Sequence, residues 1–268
     1  MSWLQTLTVL TFHALNPDWK IRVYMPEEQA NDIIAYIPDY TGPDYFYLVK
    51  YMPYVEIVKV RLSKYRINAG LHNILRSDIL RFHLLYEQGG IWSDFDVIWL
   101  KPIDKLSQIV SAGKTLTKSA EGFVCMHKTS TGFHSNGILG SIKGSEFYKR
   151  CIHISEQIQE EMDVNKIPHQ AFGPTLFNQN FSTFDRIEKK YPTMVGIPYK
   201  TFYPYSSLKR DLDRLYKESN EDYLHPEVIA VHWYNGHPLS KEFVNMNRYF
   251  KYECTMNSIL SLIKTTML

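Results

Sequence analysis

Apolar residues along the chain alternate between helical and extended spacing. Leu4, Leu7, Thr8, Thr11, Ala14 and Leu15 follow a helical repeat that stops at Asn16-Pro17, and residues 21–25 then alternate as a strand does. Pro26-Glu27-Glu28 opens a helix expected to run through Ile34 and close at Pro38, since proline fits a first helical turn and acidic side chains suit a helix N-terminus. Residues 39–53, rich in Tyr, Gly and Pro, read as a connection. A strand over 55–60 and a long helix over 69–88 follow, then an apolar strand from Ile91 and short strands at 123–126 and 137–139. Further helices are predicted over 145–162, after the Gly173-Pro174 break, and over 208–217, before a buried strand at 228–233. This alternation predicts an α/β fold in which a mostly parallel sheet carries helices on both faces. A single domain over 1–268 is expected, with 241–268 as a C-terminal helical extension.

The segment 77–102, SDILRFHLLYEQGGIWSDFDVIWLKP, carries the strongest chemical signal. Leu75, Ile79, Phe82 and Tyr86 mark one helical face, while Asp78 and Arg81, three apart, share another. Gly89 and Gly90 stop the helix. Asp94 and Asp96, at i and i+2 of an extended run, point to one side, and burying both beside Ile91, Trp92, Val97 and Leu100 is costly without a cation. A divalent metal is the natural compensation, and the short turn sets Asp78, Arg81, Asp94 and Asp96 within reach of one pocket. The bland alternatives are a turn-forming acid pair on an exposed loop and an exposed helix ion pair worth less than about 1 kcal/mol.

Charge and composition narrow the partners. With 30 Lys plus Arg against 28 Asp plus Glu, the chain has no global basic field, so nucleic acid is not an expected partner. The run Lys59, Arg61, Lys64 and Arg66 reads as a solvated face. Cys125, Cys151 and Cys254 are too few and too scattered for a disulfide framework or a zinc site, which suits a reducing, cytoplasmic setting. The first 15 residues lack the basic start of a signal peptide, and no run approaches the roughly 20 apolar residues that span a bilayer. Met256, Ile259, Leu260, Ile263 and Met267 form a helical stripe that either packs on the domain or makes peripheral membrane contact.

Over 77–102 the ordered set of Ser77-Asp78, Arg81, the glycine pair and Asp94-Phe95-Asp96, then an apolar run and Pro102, resembles a family of DXD glycosyltransferases. That family includes fungal initiating α-1,6-mannosyltransferases, α-1,4-galactosyltransferase-like enzymes and bacterial capsular polysaccharide transferases. Its sugar-binding core is similar to that of glucosylating clostridial toxins. Weaker echoes lie in Trp3 with Asn16-Pro17-Asp18-Trp19, Ser135-Asn136-Gly137, Gly173-Pro174 and Val231-His232-Trp233. The resemblance implies a GT-A (Rossmann-like) fold and metal-dependent, retaining transfer of a hexose from a nucleoside diphosphate sugar to a glycan, glycolipid or protein acceptor. It implies Asp78 and Arg81 as contacts to the donor sugar, and Asp94 as a contact to donor and metal. Asp96 is implied as the principal ligand of Mn²⁺ or Mg²⁺, His232 as a further ligand and Asn136 as a donor or acceptor contact. It also implies a first strand ahead of the 2–15 helix, which the residues given do not contain.

Other features leave alternatives open. His232 on an apolar strand could be a satisfied core histidine. His237, in Asn235-Gly236-His237-Pro238, could belong to a lid or to a plain turn. Tyr199, Phe202, Tyr203 and Tyr205 could stack on an acceptor sugar or simply pack, and Gln170 is a weaker pocket candidate. Two other functions compete with the transferase: a catalytically impaired sugar-nucleotide or glycan-binding relic, and a metal-dependent phosphohydrolase.

Overall fold

Ser2 starts the first helix, α1 (Trp3–Leu15), with a reciprocal cap: its hydroxyl accepts the Gln5 N–H at 3.3 Å and the Gln5 side chain accepts the Ser2 N–H at 2.8 Å. The computed structural model describes residues 1–27, 40–106, 120–126, 135–181, 187 and 189–267. The helix expected over 26–34 therefore lies outside the described residues beyond Glu27. Strand β1 (Ile21–Pro26) pairs in parallel with β2 (Val55–Val60). Between them, inside the stretch read as a plain connection, a short helix α2 (Phe46–Lys50) forms and buries Val49.

The long helix α3 (Asn73–Gln88) starts later than its spacing predicts, because His72 caps it by accepting the Ile74 N–H at 3.4 Å. It ends where predicted: Gly89 and Gly90 take φ values of 72° and 94°, and a Cβ on Gly89 would lie 2.7 Å from the Lys143 backbone nitrogen. The strand expected to run on from Ile91 is instead two strands in different sheets, β3 (Gly90–Ser93) and β4 (Val97–Trp99). Strand β3 lies at the edge of a four-stranded sheet in the order β3-β6-β5-β7, with β5 (Gly122–Met126), β6 (Ile138–Ser141) and β7 (Met194–Pro198). Strand β4 pairs with β8 (Ala230–His232).

Parallel pairing holds for β1 with β2 and β5 with β7, whereas β3 with β6, β5 with β6 and β4 with β8 are antiparallel. The α/β class stands, and the sheets of the described residues are mixed rather than mostly parallel, since β6 and β8 return beside strands running the other way. Helices α4 (Glu146–Glu161) and α5 (Pro174–Phe181) fall where their spacing places them, and with α3 they bury Phe82, Phe147, Tyr148 and Phe177 in one cluster.

A second cluster joins Leu4 and Leu7 of α1 to Ile98, Val231 and Trp233, to α6 (Lys209–Tyr216) and α7 (Pro238–Asn245), and to the last helix, α8 (Thr255–Thr266). Met256, Ile259, Leu260 and Ile263 are all at most 1% exposed there. Of the two readings of this stripe, packing on the domain is the one seen, and these four residues belong to that core. No helix among the described residues is long and apolar enough to cross a membrane.

Candidate active site

The divergence of β3 and β4 creates the site. Strand β3 continues its pairing with β6 through the Asp94 N–H, which donates to the Gly137 carbonyl at 2.8 Å and brings Asn136 and Gly137 alongside. Two residues later β4 has changed sheets: Val97 pairs with His232, and the Trp233 N–H donates to the Asp96 carbonyl at 2.9 Å. Asp94-Phe95-Asp96 is therefore the fork between two sheets rather than part of one strand, and the fork, not strand alternation, brings its two acids together. On its other side β4 meets α1, whose Thr8 and Thr11 hydroxyls accept the Val97 and Trp99 N–H groups at 3.4 and 3.0 Å. Thr8 also donates to the Phe95 carbonyl at 2.8 Å, which fixes the middle of the fork.

Helix α3 delivers the cationic partner. Arg81 pairs with Asp78 at 2.7 Å and with Asp94 at 3.4 Å, donates to the Asn136 carbonyl, and stands 5.2 Å from the centre of the Trp92 ring. The Arg81 and Asp78 side chains are only 3% and 7% exposed, so the exposed-ion-pair reading does not hold. Asn136 donates its side-chain amide to Asp78 at 3.1 Å, and the Trp92 indole N–H donates to Asp94 Oδ1 at 2.7 Å. His232 Nε2 lies 3.0 Å from Asp96 Oδ1, while the other oxygen of Asp96 accepts the Asn235 N–H at 2.9 Å.

Three carboxylates thus face one guanidinium and one imidazole. Burial pushes the Asp78 carboxyl up to about 6 against the pull of Arg81. Burial likewise raises Asp94, only partly offset by Arg81. For Asp96 the same burial is outweighed by His232, and its carboxyl sits below the usual range; the reciprocal pull of Asp96 overcomes burial and raises His232. One ligand atom from each of Asp94, Asp96 and His232 falls within 4.8 Å of the others. Two carboxylates and an imidazole with surplus negative charge are a donor set that fits Mn²⁺ or Mg²⁺. Asp94 and Asp96 open onto a cleft of about 1070 Å³, which is also walled by Arg81, Trp92, Ser77, Thr8 and strand β1.

All six residues singled out in the sequence, Asp78, Arg81, Asp94, Asp96, Asn136 and His232, converge here. The other candidates have different surroundings. Phe202, Tyr203 and Tyr205 are buried and offer no stacking platform, and Gln170 is exposed and does not line the cleft. His237 caps α7 by accepting the Leu239 N–H at 3.2 Å. Arg61, Lys64 and Arg66 pair on the surface with Glu27, Glu87 and Glu156. Trp92, Gly137 and Gly173 were not singled out for chemistry. The period-2 relation of Trp92 to Asp94 was the available signal for the first, whereas the two glycines act through space they leave empty.

Residues 6–111 match the family described as the glycosyltransferase sugar-binding region containing the DXD motif. The match takes in less than half of the chain. Over 71 residues the chain is 39% identical to the initiation-specific alpha-1,6-mannosyltransferase of Saccharomyces cerevisiae, a match that spans 24% of this chain and 14% of that protein. Among solved structures, a chain titled PaToxG glycosyltransferase superposes with a TM-score of 0.48 at 18% identity, covering 72% of this chain and 64% of that one. Neither relative is covered over two thirds of its length. The matched stretch 6–111 holds Asp78, Arg81, Asp94 and Asp96, while Asn136 and His232 reach the fork from beyond it.

Proposed function

We propose that this protein is a metal-dependent glycosyltransferase that moves a hexose from a nucleoside diphosphate sugar to a hydroxyl of a glycan, lipid-linked glycan or protein. The observation that carries this reading is the fork itself, where Asp94 and Asp96, in the stretch similar to the DXD family, line the cleft and meet His232. Asp94, Asp96 and His232 hold Mn²⁺ or Mg²⁺, which when bound neutralises charge on the leaving diphosphate. Arg81, its fork of donors aimed by Asp78, Asp94 and the Asn136 carbonyl, orients the donor sugar together with Asp78. Asn136 holds Asp78 in place and is itself a candidate contact to donor or acceptor.

The bond between the anomeric carbon and the diphosphate oxygen breaks with its electron pair leaving on the diphosphate. The acceptor oxygen then bonds to that carbon, and its proton passes to a diphosphate oxygen. Attack on the same face retains the anomeric configuration and needs no enzyme nucleophile. The reading is tested by incubating nucleoside diphosphate sugars with the protein and following release of the nucleoside diphosphate. The expected result is release that requires Mn²⁺ or Mg²⁺ and falls by at least about 100-fold in Asp96→Ala. Metal-independent release, binding without turnover, or preferential hydrolysis of simple phosphate esters would refute it.

A further inference from the structure

Beside the carboxylates, from a buried residue that does not line the cleft, the Tyr203 hydroxyl faces the same centre. Tyr203 is 1% exposed, its ring stacked on Tyr199 at 4.8 Å and standing 5.1 Å from the His232 ring. Its oxygen is buried, and no hydrogen bond of good geometry reaches it among the described residues, although the Ser135 side chain is a polar neighbour. A buried hydroxyl left unpaired costs free energy, so its place calls for an explanation. The direction in which it points supplies one. A methyl group built on Gly137 would lie 3.1 Å from the Tyr203 oxygen, 3.1 Å from Asp94 Oδ2 and 3.3 Å from His232 Nε2. The three atoms thus converge over one bare Cα, with no side chain to part them. Trp92 and Arg81 both occupy Asp94 Oδ1, which leaves Oδ2 as the oxygen on the Tyr203 side.

Resting on the metal-dependent reading above, we propose that Tyr203 is a positioning residue of the metal centre. Its hydroxyl hydrogen-bonds, from the buried side, a water that completes the coordination shell beside Asp94 and His232, and so sets how tightly the cation is held. Three protein ligands leave positions open in the six-coordinate shell that Mg²⁺ and Mn²⁺ adopt, and Mg²⁺ characteristically keeps several waters. A tyrosine phenol is a neutral O–H able to donate near neutral pH. Outer-shell donors of this kind typically change metal affinity by about 10–100-fold.

The test is calorimetric titration of Mn²⁺ alone into wild type, Tyr203→Phe and Asp96→Ala, with the metal-free melting temperature of each. For Tyr203→Phe the expected result is a Kd raised by about 10–100-fold with a metal-free melting temperature unchanged or higher, because the hydroxyl has no hydrogen bond of good geometry to lose among the described residues. A Kd unchanged from wild type, or a lower metal-free melting temperature, overturns the role of Tyr203. Absence of Mn²⁺ binding by wild type overturns the metal centre itself, so the two failures are distinguishable.

Discussion

Gly173 contributes to the site through the side chain it lacks. A Cβ there would stand 2.5 Å from the Asn136 amide nitrogen, the atom that donates to Asp78. Gly173→Ala is expected to push Asn136 off Asp78 and lower kcat/KM for the donor by about tenfold, the worth of one buried hydrogen bond of roughly 1–1.5 kcal/mol. Steady-state kinetics at saturating metal check this, and unchanged kinetics would show that Asn136 does not hold Asp78. Asp78, Arg81, Asp94 and Asp96 were legible because charged residues recur at helical or alternate spacing inside an apolar segment. His232 and Asn136 were legible through family resemblance, since nothing local distinguishes a ligand from a core histidine. Trp92 reads as another apolar strand residue until its indole N–H is seen on Asp94. The unpaired oxygen of Tyr203 has no signature in a sequence at all.

The contact between α1 and β4 shows what holds the fork in place. Threonines look out of place in a buried helix face, yet Thr8 and Thr11 are 5% and 0% exposed because β4 has an edge that no strand among the described residues covers. Their hydroxyls take the N–H groups that a neighbouring strand would otherwise accept. Thr11→Val keeps the volume but strands the Trp99 N–H, and is expected to lower unfolding stability by about 1–3 kcal/mol in urea denaturation. An unchanged midpoint would mean that this N–H finds another partner. On α3, burial holds the His83 imidazole down to about 4 from its ordinary 6.5. Because the unfolded chain takes up that proton first, stability is full above pH 6.5 and declines as pH falls toward 4, by at most about 3 kcal/mol. Denaturation between pH 7 and 4.5 should show a smaller loss in His83→Gln than in wild type, and equal losses would dismiss His83 as the source. Helices α1, α3, α4 and α5 were legible from their repeats. The break between β3 and β4 was not, because the run 91–100 is apolar on both sides of the acids and the break is set by distant partners, β6 and β8. The short helix α2 escaped notice because it is defined by packing of Val49 rather than by periodicity.

At the scale of the whole molecule, the first and last helices meet in one cluster, with Leu4 and Leu7 beside Met256, Ile259 and Leu260. Ile259→Ala is expected to cost about 2–5 kcal/mol of stability, read from its unfolding midpoint, while leaving Mn²⁺ affinity of the folded protein unchanged. A loss of affinity in the folded variant would mean that this cluster is coupled to the fork. Core and site are otherwise distinct in chemistry: the clusters are built of apolar side chains, and surplus negative charge is gathered where the two sheets part, on the cleft. The central claim is that this charge exists to hold a cation. Its most direct test follows the resonance signal of free Mn²⁺ during titration, with a nucleoside diphosphate present, for wild type, Asp94→Asn and Asp96→Asn. The account predicts one tight site in wild type that Asp96→Asn abolishes and Asp94→Asn weakens, and equal Mn²⁺ uptake by all three proteins would contradict it.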